Sequence, residues 1–378
     1  MDLNFSEEQR SLRDEVRRFL TDRANSAAMR EAAENRHGFD EAMWETAASE
    51  LGFCAANVPE EYDGMGLGVT ELALIMEECG RRLACIPAWS TIAMATPLIA
   101  ALASDGQKAR LLPEIASGTH RVAVALPSIH FLNSLDQLSV SARKTGDGYV
   151  LDGTVPQVAD LPSATLVLVP ARLEDGSTGL FALPRENGIT IEPLQNIDLT
   201  RPFGSLGLSR VEVDANTRLD ASGFSEDAFA EALLPARLGL AAEQIGAAQG
   251  CLDLTLDYIS GRVQFGRTIA SFQAIKHRCA GLVVDLTEAR SLLYGAAASL
   301  NAGSPDAAME IDALGVLATD VLWRTAEEAI QMHGGVGNTW EYDPHFYFRR
   351  AQASAFMMGS REEKLGRIAD RLIDGVTA

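Results

Sequence analysis

Two clusters of side chains in the C-terminal half of this sequence could do chemistry. The first is Arg262-Val-Gln-Phe265-Gly266-Arg267, followed closely by Gln273. A guanidinium can fork onto a pyrophosphate, an aromatic ring beside it suits a flat heterocycle, and glycine permits the tight turn between them. The second is Gln331-Met-His333-Gly334-Gly335-Val-Gly337, where paired glycines let backbone approach a ligand closely. A third candidate stands alone. Glu243 sits among Ala241, Ala242 and Ile245, an apolar setting that would raise a carboxyl pKa towards that of a working base. Each has a plainer reading. The first cluster is an ordinary helix hairpin in which Arg262 pairs with an acid such as Asp257; Glu243 is a packing residue bonded to a neighbouring helix; His333 caps a helix end.

The elements that must hold these residues are legible from periodicity. Leu238, Ala241, Ile245, Ala248, Leu252 and Leu256 recur at helical spacing before the first cluster, and Ile275, Cys279, Leu282, Leu286, Ala289 and Leu293 recur after it. A third helix, opened by Ser304-Pro305 and carrying Ile311, Leu314, Ala318, Leu322 and Ala329, stops at Gly334-Gly335. Residues 1–120 also read as helical, from the capping box Ser6-Glu7-Glu8-Gln9 and the face Leu12, Val16, Phe19, Leu20 onward. Between them the period shortens. Val122–Leu126, Tyr149–Gly153, Ala164–Val169, Thr178–Leu183 and Val211–Val213 are short β-rich runs separated by Gly, Pro and Asp turns. The fold expected is α+β and mainly α: an N-terminal helical domain (1–120), a middle antiparallel β-barrel or sandwich (121–222) and a C-terminal four-helix bundle (223–378).

Composition limits what such a chain can do. With 47% hydrophobic and 22% charged residues it reads as soluble and globular, and no apolar run is long enough for a membrane span. A net charge of −20 argues against nucleic-acid and anionic-membrane partners, so a polyphosphate ligand would need local arginines and helix N-termini. Cys54, Cys79, Cys85, Cys251 and Cys279 lack CxxC spacing, which favours buried free thiols over disulfides or a metal cluster. Met1-Asp2-Leu3-Asn4-Phe5 has neither a basic region nor an apolar signal core, from which a cytoplasmic location is expected.

The order Arg262-x-x-Phe265-Gly266, then Phe272-Gln273-Ala-Ile-Lys-His, resembles the signature of the acyl-CoA dehydrogenase family of flavoproteins. Gln331-Met-His-Gly334-Gly335-Val-Gly337 with Glu341-Tyr342 and Arg349-Arg350-Ala351 resembles a second family segment, and the turn Ile197-Asp-Leu-Thr-Arg201 a third. Asn57-Val-Pro-Glu-Glu-Tyr-Asp-Gly-Met-Gly-Leu-Gly68 is similar to a fourth, with Asp63 where glycine is usual; no strand precedes it, so a dinucleotide fingerprint is not expected there. The helix–strand–helix order matches the family's three parts over the whole chain. The resemblance implies FAD as cofactor, an acyl-CoA substrate dehydrogenated across Cα and Cβ, an electron-transfer flavoprotein as acceptor, and a tetramer. In the family one subunit's C-terminal helices cover the adenosine and pyrophosphate half of a neighbour's FAD. That role would fall to Arg262, Phe265, Gln273, Gln331, Gly334 and Gly335, and a CoA contact to Arg237.

The chain departs from the family where the proton is taken. The usual glutamate position holds Met358, ahead of Gly359-Ser360, and the alternative, immediately before Arg237, holds Ala236. A thioether and a methyl cannot act as bases. Glu243 lies two turns beyond Ala236 on the same face, about 10 Å on, and is the remaining candidate. The segment that holds the flavin ring in the family reads Ala125-Leu-Pro127-Ser128-Ile-His130-Phe-Leu-Asn133-Ser134 here, and Gln157-Val158-Ala159 replaces a Trp-Ile-Thr stretch. The resemblance therefore implies a partner subunit of a heterotetrameric acyl-CoA dehydrogenase, such as those for steroid side-chain CoA thioesters. An active homotetramer using Glu243, a related flavin monooxygenase and a silent structural subunit are the alternatives. Ala236, Ala241 and Ala242 hint at a roomy acyl pocket.

Overall fold

Ser6 accepts the Gln9 backbone N–H at 3.2 Å while the Gln9 side chain accepts that of Ser6 at 3.0 Å, so the first helix begins at the capping box read from the sequence. The computed structural model describes residues 5–35, 38–129, 135–185, 188–220 and 223–377. The readings placed on Met1–Asn4, on His130–Ser134 and on a boundary at 222 lie outside the described residues. The helices that follow are α1 (Glu7–Arg23), α2 (Ser26–Asn35), α3 (Glu41–Ser49), α4 (Val69–Arg81), α5 (Thr96–Leu102) and α6 (Asp105–Ala116). A π-helical stretch, Trp89–Ala95, runs directly into α5.

The strands are β1 (Val122–Val124), β2 (Val140–Thr145), β3 (Gly148–Ala159), β4 (Leu166–Leu173), β5 (Thr178–Pro184), β6 (Ile189–Leu194) and β7 (Phe203–Asp214). They form one sheet in the order β1-β4-β2-β3-β7-β6, with β5 also on β4. Pairing is antiparallel except at β4, which β1 and β2 meet in parallel. Neither is joined to β4 by a tight turn, which is what frees them to run the same way. β2 and β6 have no counterpart among the runs read from the sequence. β2 is mostly polar, and β6 is an exposed edge strand carrying Pro193.

The second helical part comprises α7 (Glu226–Ala232), α8 (Leu234–Gly261), α9 (Gln273–Asn301), α10 (Ala307–His333), α11 (Pro344–Ser354) and α12 (Arg361–Thr377), with a two-stranded hairpin, β8 (Val263–Gln264) and β9 (Arg267–Thr268), between α8 and α9. The helices from both ends of the chain share one core, in which Trp44, Leu72 and Trp89 pack with Leu238, Ile245 and Leu322. The sheet encloses a second, smaller one around Leu151, Phe181 and Leu206. All five cysteines are free and buried. No helix among the described residues is long and apolar enough to cross a membrane.

One contact fixes where α8 carries its side chains. A Cβ added to Gly80 would stand 2.0 Å from the Glu243 carbonyl oxygen, one on Gly246 1.8 Å from that of Glu77, and one on Gly250 2.0 Å from that of Arg81. α4 and α8 therefore cross backbone to backbone, and only glycine fits. Gly246→Ala is expected to lower stability by more than ~2 kcal/mol in urea unfolding, because the clash is with backbone and cannot be relieved by a rotamer. Gly295→Ala on α9, where an added Cβ meets nothing within 4 Å, should instead be neutral or stabilising by up to ~1 kcal/mol.

Candidate functional site

The Arg262 N–H closes the last turn of α8 onto the Tyr258 carbonyl at 2.9 Å, and the chain then enters the β8–β9 hairpin with Val263 opposite Thr268 and Gln264 opposite Arg267. Its two central residues, Phe265 (φ 54°) and Gly266 (φ 79°), both take positive φ, the pattern of a two-residue I′ turn. A phenylalanine is strained there, and its ring is 91% exposed. Arg267 lies 3.8 Å over the ring of Phe272, which braces the hairpin at its base. Arg262 and Gln273 are exposed, and among the described residues Arg262 forms no ion pair with Asp257.

The end of α10 lies alongside. The Tyr258 ring stacks on His333 with centroids 4.2 Å apart, and its hydroxyl donates to the His333 carbonyl at 3.4 Å. His333 Nδ1 lies 2.7 Å from the Ala329 carbonyl, and burial lowers the pKa of its ring. Gln331, Gly334 and Gly335 are exposed beside it, and an added Cβ on Gly266, Gly334 or Gly335 would meet nothing within 4 Å. Arg262, Phe265, Gln273, Gln331, Gly334 and Gly335 thus share one open end of the helical part.

The interior positions are the opposite. Ala236 is 0% exposed, and Trp89, delivered by the π-helical stretch, donates its indole N–H to the Ala236 carbonyl at 2.8 Å. Met358 is 2% exposed, stands at φ 55°, and its backbone N–H donates to the Ile129 carbonyl at 2.8 Å. The loop carrying Met358 is thereby tied to the segment beginning at Ala125. Ala241 and Ala242 are also 0% exposed, which corrects the expectation of a roomy pocket: their small side chains serve close helix packing.

Glu243 is buried and bonds to Arg201, which belongs to the loop between β6 and β7 and not, as the sequence suggested, to a neighbouring helix. The Arg201 guanidinium also lies 5.1 Å from the Trp89 ring centroid. Arg350 of α11 donates to Asp198 at 2.5 Å and to the Thr200 hydroxyl at 2.6 Å, and Thr200 donates to Asp198 at 2.6 Å. Burial alone would weaken the charge on Arg201, but Glu243, Asp160 and Asp198 together raise its pKa. Three carboxylates, Glu243, Asp198 and Asp160, face two guanidiniums in this dry cluster, so one negative charge is in surplus. The surplus falls on Asp160, whose Oδ2 has no partner and whose pKa burial pushes up to about 6, against the pull of Arg201 and Ser90. Asp198 and Arg201 were visible in the motif Ile197–Arg201; Trp89 and Asp160 carried no signal, because only the fold brings them there.

Arg237 is turned into a second knot, bonded to Asp312, which Arg367 of α12 also holds at 2.6 and 3.0 Å. Burial lowers the Arg237 pKa, with Asp312 opposing. Its outer edge lines a cavity of about 470 Å³ with Leu234, Pro305, Arg367 and Arg371. Asp253 pairs with Arg81 at 2.6 Å.

Comparison with known proteins gives a consistent result. Residues 226–373 match the acyl-CoA dehydrogenase C-terminal domain and residues 6–119 the N-terminal domain. The acyl-CoA dehydrogenase IpdE2 of Mycolicibacterium smegmatis is 33% identical over 368 residues, covering 96% of this chain and 98% of the relative. Among solved structures, a chain of the ChsE4–ChsE5 complex from Mycobacterium tuberculosis superposes with a TM-score of 0.87 at 28% identity, over 99% of both chains. A chain of the Tcur3481–Tcur3483 steroid ACAD does so at 0.85 and 28%, over 98% of this chain and 99% of that one.

The cluster makes a signed prediction. A carboxyl whose folded pKa is raised holds its proton more tightly folded than unfolded, so stability falls as pH rises from about 4 to about 6 and is flat above. Asp160→Asn removes that loss and suits the positive φ of 58° at this position. The advantage of the variant over the parent should grow by ~2 kcal/mol between about pH 4.5 and about pH 7.5, read by urea unfolding at both values. Arg201→Ala, which strands Glu243, should cost ~3–5 kcal/mol.

Proposed function

Because the chain belongs to the acyl-CoA dehydrogenase family, we propose that it works as a partner subunit in the α,β-dehydrogenation of an acyl-CoA thioester, completing the FAD site of a second, catalytic subunit. Members of this family are FAD-dependent oxidoreductases, and FAD when bound supplies the acceptor for the hydride leaving Cβ. The residues here divide cleanly in their fit to that cofactor. At the open end, Arg262 would fork onto the pyrophosphate, Phe265 would lie against the adenine, and Gln273 and Gln331 would offer amide hydrogen bonds. Gly334 and Gly335 would let backbone close on the phosphates. No side chain needs to move for this, since Phe265 is already 91% exposed.

At the interior positions the fit fails. A flavin ring and a thioester would need the space beside Met358 and Ala236, and both are closed over, at 2% and 0% exposure. The observation that carries the proposal is the partner of Glu243. A base must offer a free oxygen to a substrate proton, and this carboxylate is spent on Arg201, which is itself stacked against Trp89. The same observation argues against an active homotetramer with Glu243 as base. The relatives support the assembly by analogy, since ChsE4–ChsE5 is a complex of two different chains. The steroid ACAD likeness supports a lipid or steroid acyl group. Arg237, engaged by Asp312, is left a CoA contact only at its outer edge. An electron-transfer flavoprotein is the acceptor proposed, and the cytoplasm the location.

Coexpression with the product of a neighbouring acyl-CoA dehydrogenase gene tests this by visible absorbance. The complex should hold one FAD for each pair of unlike chains. Arg262→Ala in this chain should lower that occupancy at least about tenfold, the cost of one charge-assisted contact to phosphate. Glu243→Gln should leave the turnover of the complex within about twofold; a large loss would restore Glu243 as a base.

A further inference from the structure

Where α12 packs on α10, three cations gather around one buried carboxylate. Arg237 of α8 and Arg367 of α12 both bond to Asp312 of α10. Lys364, one turn before Arg367, is 6% exposed and lies over Gly315, where an added Cβ would stand 3.2 Å from its Cε. Among the described residues its ammonium forms neither an ion pair nor a hydrogen bond. Burial pushes the Lys364 pKa down to about 8, and Arg237 adds to that fall while Asp312 opposes it. The other carboxylates nearby do not restore the balance. Glu363 accepts the Ser360 backbone N–H at the start of α12, and Glu231 and Asp370 are exposed to water. Three cations against Asp312 leave two positive charges without a buried partner, an arrangement that is costly unless an anion completes it. In a chain of net charge −20 this excess is local.

The excess borders the cavity of about 470 Å³, a volume within the range of small-molecule sites. Arg237, Arg367 and Arg371 reach it from α8 and α12, while Leu234, Leu300, Ala307 and Ala308 give it apolar wall from α8, α9 and α10. We propose that this cavity binds an aliphatic monocarboxylate, its head held by the three guanidiniums and its chain laid against Leu234, Leu300 and Ala307. A guanidinium presents a planar fork that fits a carboxylate, and the apolar wall rewards burial of an alkyl chain. Inorganic phosphate would meet the charge and leave that wall wet. No aromatic side chain lines the cavity among the described residues, so a nucleotide base has nothing to stack on. The site is separate from the flavin end: Arg237 and Arg262 stand about 37 Å apart along α8.

Isothermal titration of the full chain with octanoate tests this. One octanoate per chain should bind with a Kd no weaker than about 1 mM, and 1-octanol at least about tenfold more weakly. Arg371→Gln, at an exposed position, should weaken octanoate at least about tenfold without moving the thermal melt. Ala308→Trp, which fills the cavity, should abolish binding; if that chain does not fold, Arg371→Gln decides. No saturable binding, or binding that Arg371→Gln leaves unchanged, overturns the proposal. So does 1-octanol binding as tightly as octanoate, or displacement of octanoate by equimolar inorganic phosphate or coenzyme A. Each readout uses the chain without FAD, so it succeeds or fails apart from the proposed function.

Discussion

The ion pair between Arg201 and Glu243 is the interaction on which the rest of the architecture turns. Both side chains are buried, so each has given up its water and depends on the other. The pair joins α8 to the β6–β7 loop, and through Asp198, Thr200 and Arg350 the same loop is joined to α11. The Arg201 guanidinium of the pair also lies 5.1 Å from the Trp89 ring centroid. That ring is held by a π-helical register that presses the indole onto the Ala236 carbonyl. The glycine crossing of α4 and α8 then sets the depth at which Glu243 enters the cluster.

From this follows a division between two ends of one helix. Near its start, α8 presents Ala236 and Glu243 to a packed interior. At its finish it opens into a hairpin whose aromatic tip stands clear of the surface. Within the chain the Phe265 ring meets the Phe272 ring edge-on, 6.3 Å between centroids, yet it stays 91% exposed at positive φ, and a strained, protruding residue of this kind is accounted for when a second molecule receives it.

Much of this arrangement is legible in the order of residues. The helical segments, the sheet between them and the tight link with its arginines follow from periodicity and from the succession Arg262, Phe265, Gly266, although the two short strands within that link do not. Those signals are local and repeat at fixed spacing. What is not legible depends on contacts distant in sequence. Nothing near Glu243 names Arg201 as its partner, and nothing near Ala236 announces that Trp89 will bond to its carbonyl. The alanines at 241 and 242 suggest space because small residues leave it, yet close helix packing uses that space. The two strands without a sequence counterpart, β2 and β6, alternate over only their first four residues, Val140 and Ala142 in one and Ile189 and Ile191 in the other, before polar residues or Pro193 end the pattern.

Titration of the purified chain alone with FAD, followed by flavin fluorescence and the fine structure of its visible absorbance, bears most directly on the claim that the interior site is closed. Weak or no binding is predicted, with a spectrum that stays that of flavin in water. Tight binding of one FAD per chain, with a quenched and structured spectrum that acyl-CoA then bleaches, would contradict it.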